Sequence, residues 1–151
     1  MDTEELLKLL KENKVIFLVI GASAFPVYGY ARATLDIDLF IKPDLENIER
    51  LMKALREFGY DLADLSPEDF SKNKILIRQY TVEADIHPSV KGITYEEAWR
   101  NKILAKFGDT EVYFPSLDDM IKMKEASGRA IDLEDLKFLK RIKEKKNKTK
   151  H

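Results

Sequence analysis

Two aspartates stand inside an otherwise apolar segment, and this pattern constrains the fold more than any other feature of the chain. Residues 35–41 have the length and composition of a β-strand, broken only by Asp36 and Asp38. Alternate side chains of a strand share a face, so both carboxylates project together, about 7 Å apart. They repel each other, and partial burial adds a desolvation cost. A positive partner is therefore required, either Arg and Lys side chains or a divalent cation.

A second acidic strand is predicted further along the chain. Residues 82–87 alternate, with Glu83, Asp85 and His87 on one face. If this strand lies beside 35–41, Asp85 completes a cluster of three carboxylates. His87 then either orients a carboxylate by a hydrogen bond or binds a metal ion.

The segment before the first acidic strand offers a seat for phosphates. Residues 15–20 form a continuous apolar run, typical of a buried strand, and a short helix is predicted after the turn Gly21-Ala22-Ser23. Such a turn presents backbone N–H groups at a helix N-terminus, which bind phosphate. Arg32 and Thr34 precede the acids and are candidates to contact phosphate or ribose oxygens.

These features together indicate a metal-bound nucleoside triphosphate (NTP). The turn would hold phosphates, Asp36 and Asp38 would hold Mg²⁺, and Asp85 lies where an attacking hydroxyl loses its proton. The chain has no Gly-x-x-x-x-Gly-Lys-Ser/Thr motif, which excludes a P-loop.

The remaining periodicity predicts a mixed α/β (α+β) domain: a small mixed sheet flanked by helices, with the C-terminal helices packed against it. We predict helices over 3–13, 24–29, 44–58, 95–107, 116–128 and 132–146, and strands over 15–20, 35–41, 74–80, 82–88 and 111–114. Asp132 is predicted to cap the last helix. Residues 1–142 are predicted to form a single domain, and 143–151 a basic tail.

Composition narrows the class of protein. The absence of cysteine excludes disulfide frameworks and thiolate chemistry. The acidic N-terminus and the interrupted apolar stretch 15–31, too short to span a bilayer, lead us to expect a cytoplasmic protein without membrane contact. Charged residues reach 35%, and Asn and Gln together number only six. This bias is typical of proteins from thermophiles, although genome composition also produces it.

Charge is distributed unevenly along the chain. Residues 137–151 contain eight basic side chains and one acid, Glu144, a local charge of +7 in a chain whose net charge is −1. Such a tail either touches nucleic acid or an acidic partner, or is a solvated helix end.

These residues resemble the nucleotidyltransferase superfamily, whose fold is shared with the β-type DNA polymerases. The superfamily signature is an apolar strand, Gly followed by Gly or Ser, a short helix, Asp-x-Asp on the next strand and a third acid later. Gly21, Ser23, Asp36, Asp38 and Asp85 match it. Small members related to AbiEii-type toxins of toxin–antitoxin systems are the most similar, with a Gly-Gly-x-Ala run and then Arg-x-Thr/Ser-x-Asp-Ile-Asp-Leu. The segments 115–124 and 128–136 also resemble that group.

The resemblance implies transfer of a nucleoside monophosphate from an NTP to an acceptor hydroxyl, with two Mg²⁺ (or Mn²⁺) ions. Asp36 and Asp38 would bridge the ions, and Asp85 would ligate the ion at the acceptor. The Gly21 turn with Ser23 would hold the terminal phosphates, and Lys124 is a candidate for phosphate charge. Acceptors in this fold include RNA, protein hydroxyls and small alcohols, and an antitoxin-like protein is an expected partner.

Other interpretations stay open at several positions. Ala22 replaces the second motif glycine, and its Cβ would crowd a phosphate. This favours the alternative of a degenerate module that binds nucleotide or a partner protein without chemistry. Tyr28 and Tyr30 either stack on a base or pack in the core. Arg129 with Asp132 either belongs to the site or forms a local ion pair that fixes a turn.

Overall fold

The computed structural model describes residues 2–28 and 36–149. In chain order its elements are α1 (Thr3–Glu12), β1 (Phe17–Ile20), a 3₁₀ helix (Gly21–Tyr28), β2 (Asp36–Ile41), α2 (Leu45–Phe58), α3 (Pro67–Lys72), β3 (Ile75–Ile77), β4 (Glu83–His87), α4 (Tyr95–Arg100), β5 (Ile103–Phe107), β6 (Thr110–Phe114), α5 (Leu117–Ser127) and α6 (Ala130–Thr149). Among the described residues, no helix combines the length and apolar character that a membrane crossing requires.

Four strands form a mixed sheet in the order β1-β2-β4-β3, and β5 and β6 form a separate hairpin. β1 and β2 are antiparallel, as are β3 and β4, whereas β2 and β4 run parallel. The two acidic strands are therefore neighbours at the centre of the sheet. The predicted α+β fold with a small mixed sheet is confirmed.

The sheet carries apolar side chains on both faces. The larger core lies on the face of Val19 and Leu39 and includes apolar side chains of α1, α2, α5 and α6. The smaller core lies on the opposite face, where Leu18, Ile20, Phe40, Ile93, Tyr95 and Ala98 pack together. Asp38 pairs with Ile20, and Asp36, Asp38 and Phe40 share one face of β2, so the acids lie on the face of the smaller core.

α2 is fixed at both ends by local signals that are readable in the sequence. Asp44 accepts a hydrogen bond from the backbone N–H of Asn47 at 2.8 Å, and Gly59 ends the helix with a left-handed φ of 114°. The side chain of Asn47 is fully buried. It accepts from the N–H of Ile16 at 2.7 Å and donates to the carbonyls of Ile16 and Lys42, both at 2.9 Å. One side chain thus ties the entry of β1 to the exit of β2.

The predicted helix over 95–107 is wrong in its second half. α4 ends at Arg100, and β5 begins at Ile103. Half-buried and exposed side chains alternate along β5, and β5 pairs with β6 through a two-residue turn at Gly108 and Asp109. This alternation is the period of a strand, and the glycine turn supplies the partner.

The predicted cap of the last helix is also wrong. α6 begins at Ala130, and Asp132 lies in its first turn, where it is fully buried. α6 continues to Thr149, and the domain limit at 142 stays a prediction. The short helix α3 was not expected, although Ser66 and Asp69 form a capping box at its start.

Candidate active site

The parallel register of β2 and β4 brings the acids of the two strands together. Asp38 lies directly beside Asp85, and Asp36 lies beside Glu83. Asp85 is 5% exposed, whereas Asp36 and Asp38 are half-buried at the wall of a cavity. This register brings the three predicted aspartates together on the two adjacent strands.

Arg78, in the loop after β3, supplies the positive charge that these carboxylates require. Its guanidinium lies 2.6 Å from Asp85 Oδ1, 3.6 Å from Asp36 Oδ2 and 3.4 Å from Glu83 Oε2. Lys74 Nζ adds a longer contact of 3.8 Å to Asp85. The sequence predicts a cation beside these carboxylates, but no pattern in it identifies Arg78 as that cation.

The loop that carries Arg78 is anchored to the chain segment after α2. The side chain of Gln79 accepts from the N–H of Asp61 at 2.9 Å and donates to its carbonyl at 2.7 Å. Tyr80, at a left-handed φ of 61°, donates its hydroxyl to the carbonyl of Gly59 at 3.0 Å. Arg78 is therefore held over the acids by a braced loop.

Asp36 and Asp85 respond to their surroundings in opposite directions. Burial, a hydrogen bond to Asp85 and repulsion from Asp38 and Asp85 raise the pKa of Asp36 to about 6. Burial opposes ionisation of Asp85 as well, but hydrogen bonds from Arg78 and Asp36 lower the pKa of Asp85 below its usual value. The two carboxyls are thus close enough to share a proton. A bound cation would reduce the repulsion between them.

Asp38 makes a contact of its own with the end of β4. His87 Nε2 lies 2.8 Å from Asp38 Oδ1, which establishes the hydrogen bond considered from the sequence. One ligand atom from each of Asp38, Asp85 and His87 can be chosen so that all lie within 4.8 Å of one another. Asp36 is outside this compact group.

The Gly21 turn lies against Asp38, and the conformation of its first residue favours glycine. Gly21 has a left-handed φ of +68°, and a Cβ there would lie 2.6 Å from Asp38 Oδ2. Ser23 is buried, and its hydroxyl is 3.5 Å from the carbonyl of Asp36. Ala22 lines the cavity beside Gly21. The turn therefore packs directly against the acid pair.

Lys124 lies at the cavity wall and is engaged in an ion cluster between α5 and α6. Its Nζ lies 2.8 Å from Asp132 Oδ1 and 3.4 Å from Asp135 Oδ2, and Arg129 Nε lies 2.7 Å from Asp132 Oδ2. Burial opposes ionisation of Asp132, but hydrogen bonds from Arg129, Lys124 and Ser127 hold the pKa of Asp132 well below its usual range. The local ion pair of Arg129 and Asp132, one of the two interpretations of the sequence, is present.

A cavity of about 730 Å³ opens in front of the acids. Besides the acids, its lining includes apolar and cationic side chains. The apolar ones include Phe25, Val90, Met120 and Met123, and the cationic ones include Lys74, Lys91, Lys124 and Arg129. A flat heterocycle suits the apolar side chains, and a polyanion suits the cationic ones.

The structure does not place any of four further predicted residues against the nucleotide site. Arg32, Thr34 and Tyr30 lie outside the described residues. Tyr28 is buried and donates its hydroxyl to the carbonyl of Pro115 at 2.6 Å, and burial raises the pKa of this phenol. Tyr28 is thus a packing residue, and Phe25 is the aromatic side chain that faces the cavity.

An acid cluster on adjacent parallel strands, facing a glycine turn at the end of a buried strand, is the arrangement of a nucleotidyltransferase. Over residues 1–144 the chain matches the family described as "Nucleotidyltransferase of unknown function (DUF6036)", and it belongs to that family. Comparisons with curated proteins and with solved structures gave no match. Membership of the nucleotidyltransferase superfamily is confirmed, whereas the relation to AbiEii-type toxins stays a prediction.

Proposed function

We propose that this protein transfers a nucleoside monophosphate from an NTP to an acceptor hydroxyl, with catalysis by divalent metal ions. The observation that carries the proposal is the register that sets Asp38 beside Asp85 across from the Gly21 turn. Family membership supports transfer of a nucleotide. The cavity supports a substrate with one flat apolar part and one highly charged part.

The acids fit a divalent ion such as Mg²⁺ or Mn²⁺. Carboxylate oxygens on rigid strands are the ligands of hard cations, and burial together with repulsion from Asp38 and Asp85 raises the pKa of Asp36. Asp36, Asp38 and Asp85 are the residues we propose to hold the ions. When bound, such ions neutralise phosphate charge and lower the pKa of an acceptor hydroxyl.

Residues of the chain supply the other requirements of the reaction. The backbone of Gly21–Ser23 and the side chains of Lys91 and Arg129 are proposed to hold the triphosphate. The acceptor oxygen would attack the α-phosphorus, pyrophosphate would leave, and the hydroxyl proton would pass to Asp85. Asp85 is proposed for this role because it lies in register beside Asp38, at the proposed metal site.

The proposal predicts metal-dependent nucleotide binding that depends on Asp38. We would measure the melting temperature with each of the four NTPs, with and without Mg²⁺, for the wild type and for Asp38→Asn. At 100 times Kd a ligand adds about 2.7 kcal/mol to the free energy of unfolding. This corresponds to about 5–11 °C for a domain of this size. Asp64→Asn, an exposed aspartate outside the cavity, is the matched control.

A second assay separates transfer from binding. We would measure pyrophosphate release from the bound NTP in the presence of unfractionated tRNA, and then with protein and small-alcohol acceptors. Release that is lost in Asp38→Asn and kept in Asp64→Asn supports the transferase. A metal-dependent melting shift without pyrophosphate release from any acceptor would instead favour the module that binds nucleotide without chemistry, for which Ala22 at the cavity wall is the specific reason.

We extend the proposal to an RNA acceptor and to control by an antitoxin-like partner. α6 carries the basic residues of the C-terminal region, and Lys137, Arg141 and Lys148 are exposed on it. Replacing these three with Ser is expected to weaken transfer to RNA but not to a small alcohol. The same rate on both acceptors would refute the RNA assignment.

The toxin role has a test of its own. Growth arrest of cells that express the protein, relieved when the product of the neighbouring gene is expressed with it, would support that role.

A further inference from the structure

His87 offers a second kind of ligand atom at the acid cluster. It follows Asp85 by two residues on β4, so both side chains project from the same face of the strand. The side chain of His87 is 16% exposed and that of Asp38 is 20% exposed, so the pair is largely withdrawn from solvent. The imidazole is thus built into the wall of the cavity.

We propose that Asp38, Asp85 and His87 bind one divalent ion, with His87 Nε2 as a direct ligand, and that this site selects a first-row transition-metal ion such as Mn²⁺ over Mg²⁺. The inference rests on the proposed function, because both put an ion at Asp38. It goes further in adding His87 to the proposed ligands at Asp38 and Asp85, and in the class of metal that follows.

The ligand atoms lie close enough for small side-chain shifts to bring all three onto a single ion. Adjacent ligands of an octahedral ion lie about 3 Å apart when each is about 2.1 Å from the metal. His87 Nε2 and Asp38 Oδ1 are 2.8 Å apart, and a ligand atom of Asp85 joins them within 4.8 Å.

The chemistry of the ligand set decides the class of metal. Mg²⁺ prefers oxygen ligands and keeps several waters, whereas imidazole nitrogen is a ligand of first-row transition metals. Two carboxylates and one imidazole make a mixed oxygen and nitrogen set. Such a set binds a transition ion more tightly than carboxylates alone would, and Mg²⁺ gains little from the imidazole.

The test is pulsed electron paramagnetic resonance of Mn²⁺ bound to the full chain. A directly coordinated imidazole gives nitrogen modulation in the spectrum, which we expect in the wild type and not in His87→Gln. Gln keeps a polar contact to Asp38 but removes the imidazole. The only other histidine of the sequence is His151, so His151→Gln is the matched control and should retain the modulation.

Binding constants for Mn²⁺ and Mg²⁺, each as the metal alone, provide a second readout. His87→Gln should weaken Mn²⁺ binding by at least about tenfold, since even indirect partners of metal sites have effects of that size. The Mg²⁺ constant should change much less, so the preference for Mn²⁺ falls. A residue that only orients Asp38 would change both constants in parallel.

Three results would overturn the inference: wild-type Mn²⁺ spectra without nitrogen modulation, modulation that persists in His87→Gln, or no binding of Mn²⁺ at all. The wild-type spectrum decides the matter even if the variant does not fold. Nitrogen modulation without any nucleotide binding would keep the metal site and remove the transferase. Nucleotide binding with a nitrogen-free Mn²⁺ spectrum would do the reverse.

Discussion

Replacing Lys124 with Met should destabilise the fold by removing a charge that two buried carboxylates need. The side chain of Lys124 is 12% exposed, and those of Asp132 and Asp135 are 1% and 2% exposed. Met preserves most of the volume, so the loss is mainly electrostatic. Breaking a buried ion pair from one side costs about 3–5 kcal/mol. We expect the lower end, about 3 kcal/mol, because Arg129 still contacts Asp132.

The assay is thermal unfolding at neutral pH without ligands. For a domain of this size, about 3 kcal/mol lowers the melting temperature by about 6–12 °C. Lys140→Met is the matched control, because Lys140 also bridges α5 and α6, at 3.4 Å from Glu125, but both side chains are about half exposed. Exposed pairs contribute less than about 1 kcal/mol, so the control should lose less than about 4 °C.

Equal melting temperatures for the two Lys→Met variants would refute this reasoning. Lys124 would then not be a structural cation, and its predicted contact with nucleotide phosphate would become the better explanation of its position. NTP affinity, measured well below the melting temperature of the weaker variant, distinguishes the two roles. A structural Lys124 lowers the melting temperature at every NTP concentration, whereas a phosphate ligand changes mainly Kd.

Three further predictions concern backbone, charge and buried polar groups. Gly21→Ala and Gly128→Ala both place a Cβ at a left-handed φ, which should cost each variant about 1–2 kcal/mol of stability. Only the Cβ at position 21 would meet Asp38, so only Gly21→Ala should also lose divalent-ion affinity in titration calorimetry. Asp132→Asn should destabilise at neutral pH. Because the pKa of Asp132 is lowered on folding from a reference of 3.8, the gap to wild type should be full above about pH 5 and shrink as urea unfolding is repeated at lower pH; a constant gap would contradict it. Asn47→Ala should cost about 2–4 kcal/mol, since it removes the side-chain partner of the Ile16 N–H and the Lys42 carbonyl, while the Ile16 carbonyl keeps the N–H of Lys42; a urea midpoint unchanged from wild type would rule that out.

Elements with local signals could be predicted from the sequence, and elements defined by distant partners could not. The apolar run before Gly21 and the capped helix α2 carry their own start and stop residues. The sequence predicts helix over β5 because Tyr95–Arg100 is helical and no proline or glycine separates the two segments. Its identity depends on pairing with β6, which a helical pattern read along the chain does not reveal.

In the candidate site, too, the features set by a local pattern were predictable and those set by distant partners were not. The alternation of Glu83, Asp85 and His87 was enough to predict which face they share. The identity of the balancing cation was not predictable, because Arg78 reaches the acids from a loop held by residues after α2. The ion cluster of Lys124 likewise depends on how α5 and α6 pack against each other.

The parallel pairing of β2 with β4 also determines when during folding the proposed metal site can form. Asp38 and His87 are 49 positions apart, and α2, α3 and β3 lie between them. Pairing across so long a loop carries an entropic cost and tends to be slow. An ion that needs both strands can bind only after they dock, so it should slow unfolding while leaving the folding rate nearly unchanged. A nascent or partly unfolded chain would then carry neither metal nor activity.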